Sequence, residues 1–164
     1  MEYTNHDILT DVTNLTFLSG SASDVPKIMD IMQRSFSPVY GEAWNEQQCL
    51  SMLVPQINEL FLISLKGSLV GFTITRTVLD EQELLMIAVD PLSHQKGIGR
   101  IIIEYLFESA VNRKITSIFL EVRENNPAQR LYEKMGFEKI GHRVDYYHGQ
   151  NNQKYAAITY KKNL

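Results

Sequence analysis

The stretch Leu84-Leu85-Met86-Ile87-Ala88-Val89-Asp90-Pro91, followed by His94-Gln95-Lys96-Gly97-Ile98-Gly99-Arg100, decides how the rest of the chain is read. Six consecutive apolar residues have the character of a central strand covered on both faces, and Asp90-Pro91 stops it. A helix then starts at Gly97. Over Gly97 to Arg113, Ile98, Ile101, Ile102, Tyr105, Leu106 and Ala110 form one stripe, with Arg100, Glu104 and Glu108 opposite. A glycine turn between strand and helix lets backbone N–H groups converge on a phosphate, helped by the helix dipole. The same two glycines also suit a plain tight turn. Two common phosphate motifs fail here. The dinucleotide fingerprint needs a third glycine where Ile102 stands, and the Walker loop needs Gly-Lys-Ser/Thr.

Working outward, Leu15 to Leu18 reads as a short strand, and Ser23 as the cap of a helix carrying Val25, Ile28, Met29, Met32 and Phe36. Asn45 and Gln48 form a capping-box pattern ahead of a second helix. Leu60 to Leu65 and the segment around Val70, Phe72 and Ile74 make a hairpin across Lys66-Gly67-Ser68. After the long helix comes a strand over Ile115 to Val122, then Asn126-Pro127 as a helix start with Gly136 just past its end. Phe137 to Ile140, Asp145 to His148 and Tyr155 to Tyr160 read as closing strands. The order β, α, α, β, β, β, α, β, α, β, β predicts an α+β fold. Its sheet is mixed and mostly antiparallel, with helices on both faces.

The chain has 164 residues, which suits one domain; residues 1–14 read as a flexible lead-in and 15–164 as the domain. No apolar run is long enough to span a bilayer, and the polar start resembles no signal peptide, so a cytoplasmic protein without membrane attachment is expected. The single cysteine, Cys49, excludes an intrachain disulfide. The histidines His6, His94, His142 and His148 have no i, i+4 pair, so no metal site is expected. Net charge is −3, which makes no case for direct nucleic-acid binding. That charge is divided: −8 over residues 1–90 and +5 over residues 91–164. The division suits an anionic ligand in the second half and a cationic one near the first.

The glycine turn resembles the pyrophosphate motif of the GNAT N-acetyltransferases, Gln/Arg-x-x-Gly-x-Gly/Ala, with Gly97 and Gly99 in place and His94 departing at the first position. Leu120-Glu121-Val122-Arg123, Asn126 and Leu131-Tyr132-Glu133-Lys134-Met135-Gly136-Phe137 are similar to the RimI-type ribosomal-protein-alanine N-acetyltransferases in particular. So are Trp44, Val78 to Glu81 and the Tyr146-Tyr147 pair. The resemblance spans roughly residues 15 to 160. It implies a three-layer α/β/α GNAT fold with acetyl-CoA as co-substrate. The phosphates would lie on Gln95, Lys96, Gly97, Ile98, Gly99 and Arg100. The pantetheine arm would lie along Ile87, Ala88 and Val89, with an N–H near Ala88 as oxyanion donor and a contact to Asn126.

Glu121 interrupts an otherwise apolar strand. On pattern alone it is a strand-end glutamate facing solvent or paired to Arg123; the resemblance makes it the general base. Tyr132 shares a helix face with Ala128, Leu131 and Met135, as a core aromatic would. The resemblance makes it the general acid, and a phenol with a pKa of about 10 is protonated at neutral pH. Trp44, Tyr146 and Tyr147 would flank the acceptor. The implied acceptor is the α-amine of a protein N-terminus, an N-terminal alanine on a small-subunit ribosomal protein. An α-amine, with a pKa near 7.7–8.0, is far more easily neutralised than lysine. Lysine side chains or a small amine such as a polyamine are the alternative acceptors, and a non-catalytic CoA-binding sensor is a third reading.

Overall fold

The computed structural model describes residues 14–164, so the expected lead-in lies outside the described residues except for Asn14. The elements run β1 (Leu15–Ser19), α1 (Val25–Ser35), α2 (Glu46–Met52), β2 (Asn58–Leu65), β3 (Ser68–Val78) and β4 (Glu81–Val89). They continue with α3 (Ile98–Asn112), β5 (Ser117–Arg123), α4 (Gln129–Lys134), β6 (Glu138–His148) and β7 (Lys154–Asn163).

Local chemistry sets several of these bounds. Ser21, rather than Ser23, opens the first helical region. It and Asp24 form a capping box around a single 3-10 turn, and α1 follows with Pro26 in its tolerant first turn. Asn45 and Gln48 cap α2 reciprocally, both at 2.8 Å. Lys66 and Gly67 both take positive φ, as a two-residue hairpin turn requires. At the end of α4, Phe137 N–H donates to Tyr132 O and Gly136 N–H to Glu133 O, a Schellman stop with Gly136 at φ 83°.

The strands form one sheet in the order β1-β2-β3-β4-β5-β7-β6, with β4 and β5 the parallel pair and the other neighbours antiparallel. On one face α3 and α4 bury Ile98, Ile102, Ile103, Leu106 and Tyr132 against Leu120, Val122 and Ile158. On the other, α1 and α2 bury Val25, Ile28, Ile31, Met32 and Cys49 against Phe72, Ile74 and Met86. Ile101 and Tyr105, expected in the α3 stripe, sit at its margin, and Tyr105 stacks on Phe17 of β1 with centroids 3.9 Å apart.

Two irregularities shape the centre of the sheet. Thr75 pairs with Leu84 and Ile74 with Met86, leaving Leu85 as an extra residue in β4. This bulge puts Leu84 against the α3 side and Met86 and Ala88 against the α1 side, although their spacing would otherwise align them. The parallel pairing of β4 with β5 stops at Leu84 and Leu120, and beyond it the two strands diverge. The expected strands at Phe137 to Ile140 and Asp145 to His148 are one strand, β6. Extra residues between Arg143 and Tyr147 bend it, and Asp145 takes φ 54°.

Candidate active site

The divergence of β4 from β5 opens a cleft on either side of one junction. The first part, about 820 Å³, is lined by Ile87, Ala88 and Val89 of β4, the α3 start and the Asn126 to Tyr132 segment. The second, about 450 Å³, is lined by Trp44, Glu83, Leu85, Glu121, Tyr146 and Tyr147 among others. Phe36, Glu42, Ile87, Asn126 and Tyr132 line both.

The first part is shaped for a long ligand with an anionic end. Gly97 is the N-cap of α3 at φ 74°, and it contributes no side chain to the turn. The opening N–H groups of a helix lack intrahelical acceptors, so Ile98, Gly99 and Arg100 present a donor set to the cleft. A Cβ on Gly97 would meet nothing within 4 Å, whereas one on Gly99 would stand 3.2 Å from Leu131 Cδ2. Gly97 therefore serves the backbone turn, and Gly99 serves the close approach of α3 to α4. Gln95, Gly97, Ile98, Gly99 and Arg100 line the cleft, while Lys96 lies on the same turn outside its lining. Arg100 also pairs with Glu104 at 2.8 Å.

The edge of β4 supplies the second recognition element. Asp90 N–H donates to Val70 O at 2.7 Å, which fixes the phase of the β3–β4 ladder. By alternation Ala88 also points into that ladder, leaving Ile87 and Val89 to direct their backbone groups to the open edge. Val89 O accepts from Ser35 Oγ at 3.2 Å and lies 2.8 Å from His94 Nε2, both on the cleft side. The backbone amides on the open edge are therefore those of Ile87 and Val89, on either side of Ala88. Arg34 holds the turn after β4 through Asp90 at 2.6 Å. That guanidinium, by its hydrogen bond first, keeps the Asp90 carboxyl below the usual carboxylate range.

Glu121 and Tyr132 come from opposite faces of the sheet, Tyr132 at the junction and Glu121 in the second part of the cleft. Glu121 lies between Leu120 and Val122, whose side chains join the α3-side core, so its own points to the other face. Its partner is Arg143 of β6, Nη1 to Oε1 at 2.8 Å, and not Arg123. The bend in β6 brings Arg143, Tyr146 and Tyr147 together. The Arg143 guanidinium lies 4.3 Å from the Tyr146 ring centroid, and the two tyrosine rings meet edge to face at 4.9 Å. Tyr132 is buried on α4, packed on Phe137 and Tyr160. Burial, and then the charge of Glu42, pushes its phenol well up, so it stays protonated across neutral pH. Tyr147 is raised by the same two causes in the same order.

Asn126 caps the turn that it begins, as its place before Pro127 predicts. Its Oδ1 accepts from Ala128 N–H at 2.9 Å, capping a leading 3-10 turn, and regular helix begins only at Gln129. Its Nδ2 donates to Glu42 Oε1 at 3.1 Å. Glu42 and Arg123 form a nearly buried pair, Nε to Oε1 at 3.2 Å, and the Arg123 guanidinium covers the Tyr40 ring at 3.6 Å. Sequence reasoning missed Glu42 and Arg143. Each lies far along the chain from its partner, and no local pattern marks either.

The family model described as Acetyltransferase (GNAT) family matches residues 25–137. The chain belongs to the GNAT acetyltransferase family. Within it, the chain is 33% identical over 144 residues to the Escherichia coli K12 protein named [Ribosomal protein bS18]-alanine N-acetyltransferase, covering 87% of this chain and 94% of that one. It is 37% identical over 86 residues to the Mycobacterium tuberculosis N-alpha-acetyltransferase RimI, covering 49% and 52%. The crystal structure of the Escherichia coli ribosomal-protein-alanine N-acetyltransferase superposes with a TM-score of 0.81 at 31% identity, over 91% of this chain and 93% of that one. Ard1 from Thermoplasma volcanium shares the GNAT fold, with a TM-score of 0.77 at 24% identity over 93% and 99%. The three-layer GNAT architecture expected from sequence is the one present, and the chain is a RimI-like N-acetyltransferase.

Proposed function

We propose that this protein transfers the acetyl group of acetyl-CoA to the N-terminal α-amine of a protein, with a ribosomal protein beginning in alanine as the acceptor class. The observation that carries this reading is the meeting of two clefts at one junction, with the Tyr132 phenol at the junction and the Glu121 carboxylate in the second cleft. The activity for which the Escherichia coli relative is named supports the acceptor assignment. A cytoplasmic location follows from such an acceptor. No described helix is long and apolar enough to cross a membrane.

The cleft residues fit acetyl-CoA, which supplies an activated acetyl thioester when bound. The α3 N-terminus and Gly97 would take its pyrophosphate, with Lys96 and Arg100 adding positive charge nearby. Ile87 and Val89 would pair with its pantetheine amides as an added strand. One of their N–H groups would face the carbonyl oxygen as charge grows there. Trp44, Tyr146 and Tyr147 would hold the acceptor chain. Glu121 would take a proton from the amine, directly or through water, and Tyr132 would donate to the departing sulfur. For a neutral amine the proton lost by nitrogen equals the proton gained by the thiol, so the transfer itself is proton-neutral.

Thiol release tests this assignment with three acceptors: an alanine-initiated peptide, the same peptide with a blocked N-terminus but a free lysine, and spermidine. The expected result is turnover with the first alone. Turnover with the second or third and none with the first would reject it.

A further inference from the structure

We propose that Glu42 binds the acceptor's ammonium group at the junction and so governs recognition of a free N-terminus. The inference rests on the proposed α-amine acceptor. Five residues line both parts of the cleft, and among them Glu42 is the one acidic side chain. An amine moving from the acceptor mouth to the thioester must pass it. Glu121 lines only the acceptor part.

The surroundings hold this carboxylate in place. Its side chain is 9% exposed, and Arg123 Nε and Asn126 Nδ2 both approach its Oε1. Arg123 is fixed in turn by the Tyr40 ring and by its Nη1 hydrogen bond to Glu124 O at 2.9 Å. A buried carboxylate needs such compensation. The loop that carries Glu42 is fixed as well. A Cβ on Gly41 would stand 2.0 Å from His148 O, and one on Gly149 would stand 2.1 Å from Val39 O. These close approaches lock the α1–α2 loop against the β6–β7 turn. The charge of Glu42 is felt at two phenols, Tyr132 at the junction and Tyr147 in the acceptor part.

The two carboxylates then divide the work. Glu42 holds the ammonium, and Glu121 takes one proton to leave a neutral amine. The C–N bond forms as the C–S bond breaks. The amide nitrogen sheds a second proton, and the sulfur ends with one, so the net release is one proton per ammonium acetylated.

The test is Glu42→Gln, which keeps the shape and the acceptor oxygen for Asn126 but removes the charge. The KM for an alanine-initiated peptide is expected to rise roughly tenfold or more, as for loss of a charge-assisted hydrogen bond. The KM for acetyl-CoA and the inhibition constant of the N-acetylated peptide, which carries no ammonium, are expected to hold. Glu42→Asp keeps the charge and is expected to keep the preference for the free-amine peptide. An unchanged peptide KM in Glu42→Gln, with the wild type active, would overturn this inference alone. So would an equal loss of affinity for both peptides, the result of a purely structural role, or loss of the preference in Glu42→Asp. A wild type inactive on the peptide would overturn the acceptor assignment and this inference with it.

Discussion

Arg143 Nη1 stands 2.8 Å from Glu121 Oε1, joining the bent strand β6 to the carboxylate beside the β4–β5 gap. This contact holds the carboxylate proposed as the base in one place. Glu121→Gln retains size and removes basicity. Its kcat is expected to fall by roughly 10²- to 10⁴-fold, the usual contribution of a general base. Steady-state kinetics with saturating acetyl-CoA measure this, and wild-type turnover would remove Glu121 from the mechanism.

Tyr132 separates packing from chemistry cleanly. Its ring is held by Phe137 and Tyr160, so Tyr132→Phe keeps the core and loses only the hydroxyl. The expected result is an unchanged melting temperature and acetyl-CoA affinity, with kcat reduced by roughly 10²- to 10⁴-fold. A fall in stability with undiminished kcat would make it a core aromatic alone.

The two glycines of the α3 turn are expected to respond differently. Gly97→Ala places a side chain at φ 74° and should cost about 1–2 kcal/mol of stability. Gly97→Asn should cost less, because asparagine tolerates that region. Gly99→Val has no positive φ to strain it, but it pushes on Leu131, next to Tyr132. It should lower kcat more than Gly97→Asn does. Thermal unfolding and kinetics on the three variants separate the two roles, and equal effects on both readouts would contradict them.

The Asp90–Arg34 pair predicts a pH dependence of stability. The folded pKa of Asp90 is depressed below its unfolded value of about 3.9, chiefly by the Arg34 hydrogen bond. Its contribution is therefore full above that value and is lost as pH falls through the lower folded pKa. Asp90→Asn should melt below the wild type at pH 7, with the gap narrowing below about pH 4. The same gap at pH 7 and pH 3 would refute this.

Much of the layer order was legible because it depends on local pattern. The α3 stripe, the Asn45–Gln48 box and the Lys66-Gly67 turn each sit within a few residues of one another. The bulge at Leu85 was not legible, because an all-apolar run carries no alternation to betray an extra residue. Strand β6 read as two strands for the related reason that extra residues after Arg143 break its period. The site's polar network was hidden by distance along the chain: Glu42 meets Asn126 across 84 residues, and Arg143 meets Glu121 across 22.

The divided charge of the chain now has a structural counterpart. The α3 start, with Lys96 and Arg100, belongs to the positive half. Glu42 and Glu83, two of the carboxylates of the acceptor part, come from the negative half. Such a division would steer an anionic donor and a cationic acceptor to different sides of one junction. The most direct test of the whole account is fragmentation mass spectrometry of an alanine-initiated peptide with an internal lysine, after incubation with the protein and acetyl-CoA. The account predicts one added acetyl group, located on the N-terminal nitrogen. An acetyl group on the lysine side chain, with the N-terminus free, would contradict it.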